Sequence, residues 1–286
     1  MDKRNWRRLL HRAPETNKYD YGHVLIIGGS ETMVGAPVLA ARATLRSGAG
    51  LVTVASTAEV LRSVDRDVEE IMTFSLPSWE DSERAVTAIR TFIKERSVSV
   101  IILGPGLPVA ADKTIRALLL NVKLPLVLDA EVFTALGGHI GILEDAASMN
   151  ERIILTPHPG EYARLVKSNP QYSLVDESTA AEKFAQDYNI TLILKQHHTL
   201  VLGNKGEIFT NTTGNPGLAT AGSGDVLSGI TAGMLAQKMN AFEAAKMAVY
   251  LHGLAGDIAA ESKTEPGMIA SDIIEAIPQA LRLLDN

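Results

Sequence analysis

Residues 23–56 read HVLIIGGSETMVGAPVLAARATLRSGAGLVTVAS. Two apolar, β-branched runs, HVLII and LVTVA, enclose a Gly-rich corner and the stretch Pro37–Gly48, whose Ala and Leu residues share one helical face. That is a strand, a helix and a second strand. The rhythm recurs along the chain. VSVIILGPG, LPLVLDA, RIILTPHPG and TLILKQ read as further buried strands, and Glu83–Glu95, Asp112–Asn121 and Thr179–Tyr188 as helices. Repeated strand–helix–strand units predict an α/β fold, a mostly parallel central sheet with helices on both faces. TLVLGNKGEIFTN breaks the rhythm with two strand-like runs joined by NKG, which predicts an antiparallel edge hairpin. Three helical stretches follow, Gly224–Met239, Ala241–Glu261 and Ala270–Leu284. No linker or charge block divides the chain, so a single domain is expected over residues 1–286.

Composition narrows the partners. The 286 residues carry a formal net charge of −6, and 46% are apolar. A mildly acidic chain has no global field to gather polyanions, so neither nucleic acid nor an acidic membrane surface is the expected partner; small molecules are. The absence of cysteine excludes disulfides and thiolate metal sites and fits a reducing, cytoplasmic setting. The start, MDKRNWRRLLHR, lacks an apolar h-region and reads as a solvated helix that packs Trp6 and Leu9 on the body. No apolar run is long enough to span a bilayer.

In such folds chemistry gathers where strands end and helices begin. Four corners fall there: IIGGSETMVGAP, LGPGLP, LTPHPGE and LKQHHT. The first does not satisfy G-x-G-x-x-G, so a standard dinucleotide reading is demoted. The stretch NPGLATAGSGDVLSGI, residues 215–230, is more informative. Gly222, Ser223 and Gly224 leave their main-chain N–H groups bare at the positive end of a helix, an anion hole, with Asp225 beside them. Capping by Ser223 or Asp225 is the competing account, but capping does not require a bare approach.

These residues carry a resemblance. NPGLATAGSGDVLSGI is similar to the G-[TS]-G-D segment of the ribokinase-like superfamily. YGHVLIIGGSETMVGAPVLAARATLRSGAGLVTVA, LGPGL, VLDAE, LTPHPGEYARL, Lys195 with Thr199, and AVYLHGLAGDIAA follow in the order of the ADP-dependent NAD(P)H-hydrate dehydratases. The resemblance implies a ribokinase-like three-layer α/β/α sandwich acting in metabolite repair on the (6S)-hydrates NADHX and NADPHX. ADP would phosphorylate the ring hydroxyl, and elimination would restore NADH or NADPH and leave AMP and phosphate. Asp225 would be the base that takes the hydroxyl proton, kept ionised by the helix dipole. Ala36, Gly106, His158 and Asp225 would contact substrate, and Lys195, Gln196, His197, His198, Thr199 and Gly224 the nucleotide. Glu161, three residues after His158, would hold Mg²⁺ through water.

The chain departs from the family pattern at Gln196, where Gly is usual, and at Glu131; neither Asp129 nor Glu131 is given a catalytic role. The adjacent His197 and His198, if on a strand, point to opposite faces and would not share an ion. A homotetramer and functional coupling to a separate NAD(P)H-hydrate epimerase are further implications of the resemblance. Two other functions stay open: a ribokinase-like kinase of a vitamin-precursor alcohol, and a nucleotide-binding protein without turnover.

Overall fold

The protein is described by a computed structural model covering residue 6 and residues 11–64, 69–150, 152–167, 172 and 177–285. Leu9 of the expected N-terminal packing pair lies outside the described residues. Trp6 is fully buried, and its Nε1 donates to Glu243 Oε2 at 3.1 Å.

The strands are β1 (His23–Ile27), β2 (Leu51–Thr57), β3 (Met72–Leu76), β4 (Val100–Leu103), β5 (Leu126–Leu128), β6 (Ile153–Leu155), β7 (Thr191–Leu194), β8 (Leu200–Leu202) and β9 (Ile208–Thr210). All nine join one sheet in the order β3-β2-β1-β4-β5-β6-β7-β8-β9. Pairing from β3 through β7 is parallel, and β8 and β9 add antiparallel. The six apolar runs and the edge hairpin therefore form as expected. The strand β3 was not expected; it is a half-exposed edge whose MTFSL lacks a continuous apolar run.

The helices are α1 (Gly35–Arg46), α2 (Ala58–Val64), α3 (Ser82–Arg96), α4 (Asp112–Leu119), α5 (Glu131–Leu136), α6 (Gly141–Met149), α7 (Pro159–Val166), α8 (Glu177–Asp187), α9 (Ser223–Ala236), α10 (Ala241–Lys263) and α11 (Ala270–Asp285). The pleat of the sheet divides the core. Val24 and Ile26 of β1 pack with α1, α9, α10 and α11, whereas Leu25 and Ile27 pack with α3 to α8 on the other face. Parallel strands buried on both sides are mostly apolar, as these are; the buried polar exceptions include His23 and Thr53, which hydrogen-bond each other at 2.8 Å. The result is three layers, helix on sheet on helix. Helix α9 stops at Ala236, short of the expected Met239, because Lys238 takes φ 68°, incompatible with a continuing helix. No helix among the described residues is long and apolar enough to cross a membrane.

Helix α9 is buried along nearly its whole length and crosses α1 at close range. A Cβ at Gly229 would collide with the Ala40 carbonyl oxygen, and one at Gly233 would lie 2.7 Å from Ser47 Cβ. The backbones approach closely enough for Thr44 Oγ1 to donate to the Gly229 carbonyl at 3.0 Å. Small residues at this crossing therefore set the height of α9 above the sheet. Gly229→Ala is expected to lower stability by about 1–3 kcal/mol, an overpacking cost, measured as the midpoint shift in urea unfolding.

Candidate active site

The order of strands reverses between β1 and β4, which opens a crevice above their carboxyl ends. The corners after the two strands are tied together: Gly29 N–H donates to Pro105 O at 2.8 Å and Gly104 N–H to Ile27 O at 3.1 Å. Gly106 has φ 67°, a conformation few other residues adopt, and a Cβ there would sit 2.8 Å from Met33 O and 3.2 Å from Ala36 Cβ. Ala36 and Gly106, far apart in the chain, are thus neighbours at the switch point.

The N-terminus of α9 faces this corner. Gly222 is left-handed at φ 85°, and a side chain on it would strike Leu39, one turn along α1 from Ala36. Ser223, Gly224 and Asp225 form the first turn, and none of them caps it through its side chain. The contrast with α7 is instructive. There His158 is the N-cap; its Nδ1 accepts from Gly160 N–H at 3.0 Å, and Glu161 Oε2 accepts from His158 N–H at 2.8 Å. Glu161 is engaged in a capping box. Asp225 holds the equivalent third position of α9, yet makes no hydrogen bond or ion pair among the described residues. The capping account of Asp225 therefore fails.

Its surroundings explain its state. Asp129, at the end of β5, is buried and accepts from Lys195 Nζ at 3.1 Å, Ser228 Oγ at 2.5 Å and Ala130 N–H at 2.9 Å. Ala130 follows at φ 49°, a strained backbone for a residue with a Cβ. Lys195 Nζ lies 3.9 Å from Glu161 Oε2, and a Cβ on Gly224 would be 3.3 Å from it. Burial pulls the Lys195 pKa down, but Asp129, Glu161 and Asp225 outweigh it, so the net shift is upward and the side chain stays an ammonium. Asp225 is pushed up to about 7, by burial first and by the Asp129 charge second, with Lys195 opposing. The expectation that the helix dipole keeps Asp225 ionised is thereby corrected: desolvation and a neighbouring carboxylate outweigh it, and near neutral pH the group is poised between its two states.

Beside this cluster lies a cavity of about 810 Å³. His158, the whole of Lys195–Thr199, Ser223 and Gly224 line it, joined by the segment 211–216 and by Val249, His252 and Gly253 of α10. Ala36, Gly106, Glu161 and Asp225 are not among its lining residues. The predicted site residues thus divide between a cavity at β7 and α9, with Glu161 beside its Lys195, and a crevice at β1 and β4 that holds Ala36 and Gly106; Asp225 lies in the first turn of α9. His197 and His198 are not on a strand as supposed; they lie in the tight connection from β7 to β8, with rings 4.0 Å apart. The left-handed residue of that turn is His198 at φ 59°, so Gln196 stands where no positive φ is required. No cluster of three or more metal-ligating side chains occurs among the described residues.

Sequence reasoning missed Asp129 as the partner of Lys195, although an acid ending a buried strand was a usable signal. It also missed His252 and Asp257. Asp257 Oδ2 accepts from Gly214 N–H at 2.9 Å and Oδ1 from Asn215 Nδ2 at 3.0 Å, pinning the loop that leads to the N-terminus of α9. The bareness of that loop has a packing cause as well, since a side chain on Gly217 would strike Met268.

The family model described as NAD(P)H-hydrate dehydratase matches residues 24–279. A bifunctional NAD(P)H-hydrate repair enzyme of Moorella thermoacetica is 38% identical over 98% of this chain and 53% of its own length. An ADP-dependent (S)-NAD(P)H-hydrate dehydratase of Neisseria meningitidis is 36% identical over 93% of this chain and 86% of its own. The chain spans about half the length of the bifunctional relatives it matches. Among solved structures, a ribokinase-like superfamily protein of Enterococcus faecalis superposes with a TM-score of 0.82 at 27% identity, covering 99% of this chain and 95% of that one. The expected ribokinase-like three-layer fold is therefore the one observed.

The charge arrangement makes a directional prediction. Asp225 binds its proton more tightly in the folded protein than in the unfolded chain, so the ligand-free fold loses stability as pH rises from about 4 through about 7. Asp225→Asn is expected to remove that loss, stabilising the fold more at pH 8 than at pH 4 in urea unfolding. Carbon-detected carboxyl titration is expected to show the Asp225 midpoint falling in Asp129→Asn and rising in Lys195→Met.

Proposed function

Because this chain belongs to the NAD(P)H-hydrate dehydratase family, we propose that it converts (6S)-NADHX or (6S)-NADPHX to NADH or NADPH at the expense of ADP. The observation that carries this reading is the half-buried Asp225 carboxylate, left without a partner at the open first turn of α9, beside main-chain donors and the part-buried Lys195 ammonium. A carboxylate with an ordinary pKa is a weak base at neutral pH; one raised to about 7 is matched to accepting a hydroxyl proton there.

The chemistry follows from the leaving group. Hydroxide leaves poorly and phosphate well. Asp225 takes the proton of the ring hydroxyl as its oxygen attacks the β-phosphorus of ADP, releasing AMP. The N–H groups of Gly222, Ser223 and Gly224 hold the phosphoryl oxygens as charge develops on them. Loss of phosphate and a ring proton then restores the dihydropyridine. The nucleotide occupies the cavity along Lys195, Gln196, His197, His198, Thr199 and Gly224. The substrate lies over Ala36 and Gly106, with His158 at the cavity wall. Lys195, held by Asp129, supplies a fixed positive charge toward the phosphates.

The donor set fits a magnesium ion carried by the nucleotide rather than a dedicated protein cage, since Mg²⁺ keeps several waters and takes one or two carboxylates with phosphate oxygens. Glu161, with Oε1 outside its capping contact, would hold it through water, and the ion would neutralise phosphate charge. All nine strands join one sheet, which supports action as one domain. Repair relatives of about twice the matched length support coupling to an NAD(P)H-hydrate epimerase that supplies the (6S) form, and a homotetramer in the cytoplasm completes the proposal.

Incubation with hydrated NADH, Mg²⁺ and either ADP or ATP is expected to restore absorbance at the reduced nicotinamide band; no recovery with either nucleotide refutes the assignment. Asp225→Asn is expected to lower kcat by about 10²–10⁴-fold while nucleotide binding persists. In the wild type, kcat/KM for the hydrate is expected to rise with pH and level off near the Asp225 pKa of about 7. A flat profile from pH 5 to 8 would show that another group is the base.

A further inference from the structure

An additional contact reaches the anion hole from α10. His252 is buried, and its Nε2 lies 3.1 Å from the Ser223 carbonyl oxygen and 3.1 Å from Ser223 Oγ. A carbonyl oxygen has no proton to give, so Nε2 is the donor in the first contact. The other neutral tautomer, with its proton on Nδ1, would set the Nε2 lone pair against the carbonyl lone pairs at the same distance. Burial holds the His252 pKa down at about 4, aided by the Lys195 charge, so the ring is neutral at physiological pH and its one proton is on Nε2.

The consequence falls on the hydroxyl. Ser223 Oγ shares the Nε2–H with the carbonyl in a three-centre bond and is there an acceptor. Its own proton is not used in that contact, and the hydroxyl makes no other hydrogen bond among the described residues. Both Ser223 and His252 line the cavity.

We propose that His252 is a positioning residue that holds Ser223 Oγ as an acceptor and thereby turns its O–H into the cavity, making the Ser223 side chain a donor to the transferring phosphoryl group. This adds a side-chain donor to the main-chain N–H groups of the anion hole, and it rests on the phosphoryl-transfer reading above. No charged group enters the hole by this means; the neutral imidazole sets a direction only.

The test has two arms. Long-range nitrogen–proton correlation spectra of the labelled full chain at pH 7, without substrate, are expected to show His252 Nε2 as the protonated ring nitrogen and Nδ1 as the unprotonated one. The reverse assignment overturns the proposal, whatever the enzyme does. In the dehydration assay, Ser223→Ala is expected to lower kcat by about 10²-fold with little change in KM for the hydrate. His252→Leu is expected to lose a comparable factor, His252→Gln, which retains an amide donor, to recover part of it, and the double variant Ser223→Ala/His252→Leu to be no slower than the slower single. Losses that multiply in the double variant, or a Ser223→Ala enzyme with unchanged kcat, would overturn it. If His252→Leu does not fold, the tautomer and Ser223→Ala decide the matter. A wild-type chain that turns over no hydrate sinks the functional reading and with it the donor role of Ser223, whereas a reversed tautomer in an active enzyme overturns the His252 proposal and leaves that reading standing.

Discussion

One ion pair, between a buried carboxylate and a part-buried ammonium, organises the carboxyl edge of the sheet. Asp129 ends β5 inside the protein, where an unpaired carboxylate would be strongly unfavourable, and Lys195 from the end of β7 meets it at 3.1 Å. Ser228 of α9 adds a second donor at 2.5 Å. Three elements that share no sequence neighbourhood are thereby held in one geometry. The same arrangement leaves Asp225 between an attracting ammonium and a repelling carboxylate, and burial then raises its pKa to about 7. The raised pKa of Asp225 is thus set by what is placed around it, not by its own chemistry.

The second constraint is steric. Gly229 and Gly233 let α9 settle onto Ala40, Ala43 and Thr44 of α1 and onto its C-cap Ser47, and Gly222 lets its first turn approach Leu39. Helices α9 and α1 are thus packed backbone to backbone. Gly222, Gly229 and Gly233 of GSGDVLSGITAG answer to that contact, and Gly222 at its start also takes a left-handed φ of 85°.

Much of this was legible in the chain. Short apolar runs such as VLII and VIIL, bounded by Gly and alternating with helical patterns, read as strands covered on both faces, so the parallel sheet follows from them, and NKG with its flanking runs announces the edge hairpin. TPHPGE follows a strand and GSGD opens a helix, both legible as such in the chain. The half-exposed β3 and the short helices α2, α5 and α6 escaped because each lacks a long periodic face. The histidine pair was misplaced because the reversal of the five-residue connection Lys195–Thr199 is read from backbone angles, and His198 at φ 59° carries no turn signature in its side chain. Glu161 and Asp225 look alike in sequence, each an acid in the first turn of a helix, but one is tied to its N-cap and the other is free.

By itself, the sequence determined the α/β class, the carboxyl edge as the place of chemistry, and the residue types available for an anion hole and a base, because these depend on local patterning and on side-chain chemistry. Tertiary structure alone decided that Asp129 pairs with Lys195, that Asp225 is left unpaired with a raised pKa, and that His252 meets Ser223. Those outcomes depend on desolvation and on charges brought within a few ångströms from strands and helices far apart in the chain, and neither is expressed until the sheet and its two helical layers have closed around them.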